Sequence, residues 1–315
     1  MGKARPCILC DAMDCHTLFD TAPKVVPNGK FPSWLHRKMP EGNALWVTNG
    51  VIQENRLHTV CEEAKCPNLL ECYSKKTATF LVLGKECTRA CGFCDIDFSK
   101  KPAVVDEHEP HRVADSIKKL GLKHAVITMV ARDDLEDGGA LHLRRVIDAI
   151  RAECPQVTVE VLSSDLQGST AALDTVLSAR PEIFNHNVET VPSLTSKVRH
   201  KATFERSLHV LSYAKQYSRH QLVKSGFMVG LGETKEEVLG VLHHLRDAGC
   251  DIVTIGQYLQ PSRKKLQVKE FIHPTVFEEY KDAGEKLGIK YVYSGPFVRS
   301  SYNAGVVFNN VSITS

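Results

Sequence analysis

The sequence predicts an α/β fold in which crossover helices cover a parallel sheet. From Thr77 onward, apolar β-branched segments of strand length alternate with segments of helical periodicity. The continuous apolar character of these strands is typical of burial on both faces. Six strand–helix units fit a doubly wound sheet or an incomplete barrel, and periodicity alone does not separate the two. The predicted strands are 77–83, 124–130, 157–162, 182–187, 222–231 and 251–259.

The segment before the first predicted strand is expected to be loosely organised. PNGKFP, MPEGN and VTNG are clusters of chain-breaking residues that separate short apolar pieces. We expect residues 1–31 to be a disordered extension and residues 32–76 to be an arm beside the main body. Trp34, Leu35 and Trp46 are expected to dock this arm.

Within the alternating region, one helix has clear boundary signals. Residues 234–248 place apolar side chains on one face, Thr234 and Glu237 form a predicted capping box, and Gly249 ends the helix. Lys224 lies early in an apolar strand, where an unpaired charge is costly, so we expect it to have a partner.

Composition excludes several classes of protein. The 315 residues are 43% hydrophobic and 24% charged, which is ordinary for a soluble globular protein. No apolar run approaches the roughly 20 residues needed to span a membrane, and the N-terminus lacks a secretory signal. A cytoplasmic location is the expectation. The net charge of +3 does not indicate a nucleic-acid partner.

Six cysteines fall between positions 61 and 94, where the sequence reads CEEAKCPNLLECYSKKTATFLVLGKECTRACGFC. They form two triplets, C-x4-C-x5-C and C-x3-C-x2-C, and neither has a fourth local Cys or His ligand. Clustered cysteines in a cytosolic protein indicate metal binding or catalysis more often than disulfides. A structural zinc site needs four ligands, so zinc would require that the triplets share ligands in a two-zinc cluster. Iron–sulfur clusters are the alternative.

The second triplet, CTRACGFC, resembles the signature of the radical S-adenosylmethionine enzymes. It follows a predicted strand, and Phe93 precedes the third cysteine, as that family prefers. The resemblance implies that three thiolates hold a four-iron four-sulfur cluster whose open iron binds S-adenosylmethionine. An electron from the cluster then cleaves the cofactor to a 5′-deoxyadenosyl radical.

Further motifs resemble the lipoyl synthase family from about Pro32 to Gly305. They are VCEEAKCPNLLEC, RDDLEDGGA, NHNVETV, VRHKATFERSL, KSGFMVGLGET, TIGQYLQPS and GPFVRSSYNAG. This resemblance implies an incomplete (βα)6 barrel over residues 77–295. It also implies an N-terminal extension with an auxiliary cluster and a C-terminal segment, residues 296–315, with the RSSY motif.

The resemblance also assigns roles to individual residues. Cys87, Cys91 and Cys94 would hold the cluster that binds S-adenosylmethionine. An auxiliary four-iron four-sulfur cluster would have a serine of RSSY as its fourth ligand, and we favour Ser301 over Ser300. Its other three ligands would be Cys61, Cys66 and Cys72. Candidate contacts to S-adenosylmethionine are Phe93, Asn185, Asn187 and Arg199.

The implied reaction inserts sulfur at C6 and C8 of an octanoyl chain that is amide-linked to a lysine of a lipoyl carrier domain. The carrier would belong to a 2-oxoacid dehydrogenase or to the glycine cleavage system. The implied electron donor is a flavodoxin or ferredoxin, and the implied sulfur source is the auxiliary cluster. No membrane partner is expected.

Alternatives and departures remain. A biotin-synthase-like or methylthio-transferring enzyme is a second hypothesis, and a non-enzymatic zinc or electron-transfer module is a third. The family's polar residue before RDD is replaced by Ala131, in a segment that also contains Met129. An N-terminal CILCDAMDC, with Cys7, Cys10 and Cys15, has no counterpart among the family's motifs.

Overall fold

A computed structural model describes residues 25, 27, 30–37, 39–40, 42–218 and 221–313. The disordered extension predicted for residues 1–31 and the CILCDAMDC motif fall almost entirely outside these residues. The described part of the chain contains ten strands. They are β1 His58–Thr59, β2 Thr79–Val82, β3 Glu86–Cys87, β4 Asp97–Phe98, β5 His124–Met129, β6 Thr158–Leu162, β7 Ile183–Asn185, β8 Leu222–Val229, β9 Ile252–Gln257 and β10 Tyr291–Gly295.

Eleven α-helices accompany these strands in the described residues. They are α1 Ala44–Glu54, α2 Val60–Glu63, α3 Leu69–Ser74, α4 Glu109–Leu120, α5 Ala140–Glu153, α6 Thr170–Leu177, α7 Thr195–Val198, α8 Phe204–Tyr217, α9 Lys235–Asp247, α10 Pro274–Lys286 and α11 Ala304–Ile313. Short 3-10 helices occur at Ser33–Leu35, Leu166–Gly168 and Pro192–Leu194.

The main sheet is an open, barrel-like sheet. Its eight strands lie in the order β1-β2-β5-β6-β7-β8-β9-β10. Every neighbouring pair is parallel except β1 and β2. Because spatial order follows chain order without a reversal, the sheet lacks the switch point of a doubly wound fold. The edge strands β1 and β10 do not pair with each other, so the barrel is incomplete, as predicted.

Six strand–helix units were predicted and all six are present, with β10 as an additional parallel strand. β10 pairs with β9 through five aligned residues, from Tyr291 beside Ile252 to Gly295 beside Gly256. The predicted strand 182–187 is shorter than expected, because β7 ends at Asn185. His186 and Asn187 therefore belong to the loop at the carboxyl end of the sheet.

Helix α9 confirms the predicted boundary signals. The hydroxyl of Thr234 accepts a hydrogen bond from the backbone N–H of Glu237, and the Glu237 carboxylate accepts one from the backbone N–H of Thr234. Gly249 follows the helix with φ of +82°, a conformation that favours glycine.

Two expectations for the N-terminal arm were wrong. The VTNG segment lies inside helix α1, because the apolar residues around it pack against α3 and α4 and outweigh the weak helix propensity of Asn and Gly. Trp46 on the same helix is 71% exposed and does not dock the arm. Leu35 is buried, and the indole of Trp34 lies edge-on to the His273 ring at 4.9 Å.

Helix α11 packs on the amino-terminal ends of the parallel strands. Val307 and Val311 form a small buried cluster with Ile183 of β7 and Ile252 of β9. The carboxyl ends of the strands, where such sheets place their functional sites, lie at the opposite edge. Among the described residues, no helix has the length and apolar character required to cross a membrane.

Candidate active site

A cavity of about 1100 Å³ runs inside the sheet from the loops at the carboxyl ends of the strands to residues at their amino ends, such as His124 and Phe308, and both cysteine triplets face it. Two sequence motifs that are separate in the chain therefore share one volume. Of the predicted site residues, those that line the cavity are Cys61, Cys66, Cys72, Cys87, Cys91, Phe93, Cys94, Asn187, Arg199 and Ser301. Asn185 is not among them: its side chain is fully buried.

The CTRACGFC loop is fastened to the end of β5. Cys87 ends β3, which pairs with β4 in a separate two-stranded sheet. The backbone N–H and the hydroxyl of Thr88 both donate to the carbonyl of Ala131, at 3.0 and 2.9 Å. The Thr88 hydroxyl also accepts a hydrogen bond from the backbone N–H of Asp133. These backbone-mediated contacts explain why alanine is compatible with position 131.

Arg89, inside the same motif, forms a buried ion-pair network that sequence reasoning missed. Its guanidinium makes a bidentate contact with Asp133, and one of its nitrogens lies 2.7 Å from Asp165. Burial raises the pKa of the Asp165 carboxyl, but the hydrogen bond and charge of Arg89 outweigh burial and bring that pKa to about 2. The sequence did contain a signal for this network: Arg89 lies inside a cysteine motif that follows a buried strand, so an acidic partner at a neighbouring strand end could have been expected.

The thiols of the second triplet lie close enough to influence one another. Burial raises the pKa of Cys94 to about 12, and the charges of Cys91 and Cys87 add to that rise. Backbone N–H groups act in the opposite direction: that of His200 donates to Cys91 Sγ, and that of Arg89 donates to Cys87 Sγ, both at 3.4 Å. Such donors stabilise thiolates.

The first triplet is held by two short helices. Cys61 lies on α2, whose N-cap Thr59 accepts a hydrogen bond from Glu62, and Cys72 lies on α3. Burial raises the pKa of Cys61 to about 12, and the neighbouring thiols of Cys66 and Cys72 add to it. Burial also raises the pKa of Cys72 to about 11, again with a contribution from Cys66.

The chemistry of both donor sets fits iron–sulfur clusters. Bound iron would offset the burial and mutual repulsion that raise the thiol pKa values, because a coordinating thiol is deprotonated. In the described residues, no three His, Cys, Asp or Glu side chains converge on a single metal ion. A cubane does not require such convergence, since each thiolate binds a different iron.

The RSSY segment reaches the first triplet from the far end of the chain. The backbone carbonyl of Phe297 accepts a hydrogen bond of 2.7 Å from the Asn68 amide, although the two residues are 229 positions apart. Arg37 places its guanidinium 3.7 Å from the centre of the Phe297 ring. These contacts bring Ser301 to the cavity wall beside the arm that carries Cys66 and its neighbours.

The two serines of RSSY have different surroundings. Ser300 hydrogen-bonds to Asn185 and Asn187. Both serines line the cavity, but Ser301 makes no side-chain hydrogen bond to any residue in the described ranges. The Ser301 hydroxyl is therefore the one of the two that is not engaged by other side chains.

Arg199, which is buried, and Glu189, which is half-buried, form a polar part of the cavity wall. Arg199 donates hydrogen bonds to the Ser207 hydroxyl at 2.7 Å and to the Val188 carbonyl at 3.4 Å. Burial raises the pKa of Glu189, while Arg199 and the amide of Asn187 oppose that rise. This part of the wall thus contains both a cation and hydrogen-bonding groups.

Comparison with known proteins agrees with this arrangement. Residues 81–245 match the Radical SAM superfamily. The structure resembles that of methylornithine synthase, with a TM-score of 0.52 at 16% identity over 73% of this chain and 68% of that one. It also resembles HydG, a hydrogenase maturase, with a TM-score of 0.54 at 15% identity over 67% and 49% of the respective chains. At these identities the likeness shows the fold. The chain belongs to the radical S-adenosylmethionine enzymes.

Curated relatives define the family within that class. The lipoyl synthase of Protochlamydia amoebophila (strain UWE25) is 63% identical over 290 residues, which cover 91% of this chain and 90% of that protein. The lipoyl synthase of Chlamydia muridarum (strain MoPn / Nigg) is 53% identical over 292 residues, which cover 93% and 94%. The chain belongs to the lipoyl synthase family.

Proposed function

We propose that this enzyme inserts two sulfur atoms, at C6 and C8, into an octanoyl chain carried on a lysine of a lipoyl carrier domain. The observation that carries the proposal is that two separate thiol triplets and Ser301 line one cavity of about 1100 Å³. An enzyme that only cleaved S-adenosylmethionine would need a single triplet. A second triplet facing the same volume supports a reaction that uses both sites on one substrate.

In this proposal, Cys87, Cys91 and Cys94 hold the cluster to which S-adenosylmethionine binds. When bound, that cluster supplies the electron that generates a carbon-centred radical from the cofactor. Arg199 would pair with the carboxylate of S-adenosylmethionine, as Arg suits carboxylate recognition. Asn187 and Phe93, which also line the cavity, would contact the remainder of the cofactor. Asn185, which is buried, would act through its neighbours.

The arm of residues 32–76 and the segment 296–315 are proposed to hold the auxiliary cluster together. Cys61, Cys66 and Cys72 would bind three of its irons and Ser301 the fourth. A serine oxygen is a harder ligand than a thiolate and binds iron less firmly in a sulfur-rich site. The Ser301 iron is therefore suited to be the first to leave when the cluster gives up sulfur.

The proposed partners follow from this reaction. The carrier is a lipoyl domain of a 2-oxoacid dehydrogenase or of the glycine cleavage system, and a flavodoxin or ferredoxin supplies electrons. The proposed setting is the cytoplasm, where thiols stay reduced. The relatives are named lipoyl synthases, which supports a lipoyl domain as the carrier. The size of the cavity supports entry of an extended acyl chain from solvent.

The proposal is tested by anaerobic reconstitution of three proteins: the native chain, one with Cys87→Ala, Cys91→Ala and Cys94→Ala, and one with Cys61→Ala, Cys66→Ala and Cys72→Ala. We expect about eight irons per native chain and about four in each variant. Both 5′-deoxyadenosine and a thiolated octanoyl-lysine peptide should form with the native protein. The variant that lacks Cys61, Cys66 and Cys72 should release 5′-deoxyadenosine without thiolating the peptide. The variant that lacks Cys87, Cys91 and Cys94 should form neither product.

Cys154→Ala is the matched control, because Cys154 is a buried thiol outside the cavity. It should retain about eight irons and full product formation. A native protein with both clusters in place that fails to thiolate the peptide would refute the proposal.

A further inference from the structure

The hydroxyl of Ser300 is hydrogen-bonded on both sides. It accepts a bond of 2.7 Å from Nδ2 of Asn185 and donates one of 2.9 Å to Oδ1 of Asn187. Both asparagines lie at the carboxyl end of β7, more than 100 positions earlier in the chain. Ser300 therefore ties the RSSY segment to a strand of the barrel through one donor and one acceptor.

The Asn185 end of this tie is anchored in the barrel interior. Nδ2 of Asn185 also donates to Oε1 of Glu160 at 2.9 Å, and the same oxygen lies 2.8 Å from Nζ of Lys224. The side chains of Glu160 and Lys224 are wholly buried. An amide that donates to a buried carboxylate has little freedom to rotate, because turning it over would bring the Asn185 Oδ1 against the Glu160 oxygen and replace a hydrogen bond with repulsion.

The Asn187 end is held as well, through its own amide. Nδ2 of Asn187 donates to Oε1 of Glu189 at 3.1 Å, so Oδ1 is directed away from Glu189 and toward Ser300. The Ser300 hydroxyl thus bonds to one donor and one acceptor, and each of these is oriented by a contact that does not involve Ser300.

Close backbone packing adds to this restraint. A Cβ atom placed on Gly256 of β9 would lie 2.0 Å from the carbonyl oxygen of Val298, so the chain just before RSSY rests directly on the strand. The segment is held at Val298 by contact with β9 and at Ser300 by hydrogen bonds to β7. The next residue, Ser301, faces the cavity.

We propose that Ser300 is a positioning residue: its two hydrogen bonds hold the RSSY segment so that the neighbouring Ser301 hydroxyl is presented to the auxiliary cluster. This inference rests on the proposed role of Ser301 as the fourth ligand. Without the Ser300 hydroxyl, the segment keeps its packing on Gly256 but loses its hydrogen bonds to Asn185 and Asn187. The oxygen ligand would then be less well placed, and the iron it holds would leave sooner.

The test uses Ser300→Ala, which removes both bonds, and Ser300→Thr, which keeps a hydroxyl. Ser301→Ala removes the proposed ligand. Ser294→Ala on β10 is the matched control, since the buried Ser294 hydroxyl has no hydrogen-bond partner in the described residues. Three measurements are made: hydrogen exchange of residues 296–303 in the apo-protein, the Mössbauer signature of oxygen-ligated iron, and the rate at which a chelator removes iron from the reconstituted protein.

Loss of two hydrogen bonds should speed exchange of residues 296–303 about tenfold or more in Ser300→Ala. Ser300→Thr should restore native exchange, and Ser294→Ala should not change it. Ser300→Ala should keep the oxygen-ligated iron signature while chelators remove iron several-fold faster. Ser301→Ala should lose the Mössbauer signature of oxygen-ligated iron, while hydrogen exchange of residues 296–303 stays at the native rate.

Three results would overturn the inference, and they differ from one another. If Ser300→Ala loses the signature and Ser301→Ala keeps it, Ser300 is itself the ligand. If exchange in Ser300→Ala is native, the two hydrogen bonds do not hold the segment. A third result, faster exchange in Ser300→Ala with a native signature in Ser301→Ala, would overturn the inference together with the proposed serine ligand.

Discussion

The phenol of Tyr302 donates a hydrogen bond of 2.8 Å to Oε1 of Glu71, a residue 231 positions earlier in the chain. Glu71 lies on α3, one residue before Cys72, and Tyr302 follows Ser301. One hydrogen bond thus connects the two segments that would ligate the auxiliary cluster. Burial raises the pKa of Glu71, but bonds from Lys75 and Tyr302 and the charge of Arg37 outweigh it, so the carboxylate stays ionised.

Tyr302→Phe should loosen this connection. The ring would keep its stacking on Tyr293, whose centroid is 6.2 Å away, while the hydrogen bond is lost. We expect the apo-protein to lose about 1 kcal/mol of unfolding free energy in urea, because the site is half-buried. The reconstituted protein should release auxiliary-cluster iron faster than the native one.

Tyr217→Phe serves as the control, because Tyr217 is 44% exposed on α8, away from the cavity. Equal rates of iron release from Tyr302→Phe and the native protein would show that the Glu71 contact does not support the cluster.

Arg89→Ala should destabilise the radical site more severely. It leaves Asp165, whose side chain is 0% exposed, without its main cation, and Asp133 without its bidentate partner. Removing one member of a buried ion pair costs about 3–5 kcal/mol. We expect urea unfolding of the apo-protein to show a loss in that range.

The matched control for that loss is Arg144→Ala, which breaks a pair with Asp148 whose side chains are 40% and 53% exposed. A surface pair of this kind contributes less than about 1 kcal/mol. Similar losses in the two variants would contradict the role assigned to Arg89.

The sequence predicted the parts of the site that are local in the chain. The two cysteine triplets, the six strand–helix units and the capping box of α9 each depend on residues within a few positions of one another, so their spacing carries the information. Lys224 was expected to have a partner because a lone charge in an apolar strand is costly. Its partner, Glu160, lies 64 positions away and was not predicted.

What the sequence did not predict depends on contacts between distant segments. Strand β10 is a five-residue YVYSG segment with a short, weak pattern, and its pairing with β9 makes it a strand. The VTNG segment was expected to be loose but is helical, because tertiary packing outweighs propensity. The ties of Ser300 and Tyr302 to β7 and α3 likewise join segments with no shared local pattern.

The buried Lys224–Glu160 pair should be required for stability. Lys224→Met would leave Glu160 with His124 and Asn185 but without its main cation. We expect a loss of about 3–5 kcal/mol. Adding Glu160→Leu to that variant should recover much of the loss, because the uncompensated charge is then gone. If the double variant is as unstable as the single one, the loss comes from packing and not from the charge.

The same pair predicts an acid-sensitive contribution. Burial alone would raise the pKa of Glu160, but Lys224 and His124 outweigh burial and bring it from 4.5 to about 2. A carboxyl whose folded-state pKa is depressed contributes stability above its unfolded pKa, and loses it as pH falls through the folded value. The contribution from Glu160 should therefore decline between about pH 4.5 and pH 2 in the native apo-protein.

His186 should make stability depend on pH in a higher range. Its Nδ1–H donates to the Ser163 carbonyl at 2.9 Å, and Nε2 lies 2.9 Å from the Ser207 hydroxyl. Burial, with the charge of Arg199, lowers the pKa of His186 from 6.5 to about 4. The unfolded chain therefore takes up this proton first as pH falls, and the folded state loses stability between about pH 6.5 and pH 4.

The slope from this one group is at most about 1.4 kcal/mol per pH unit. His186→Gln keeps a neutral donor and acceptor at the site, so urea unfolding of its apo-protein should show a shallower slope across this range. His111→Gln, at a side chain that is 76% exposed, should leave the native slope unchanged. Parallel pH profiles for the native protein and His186→Gln would mean that the imidazole is not held neutral by its burial beside Arg199.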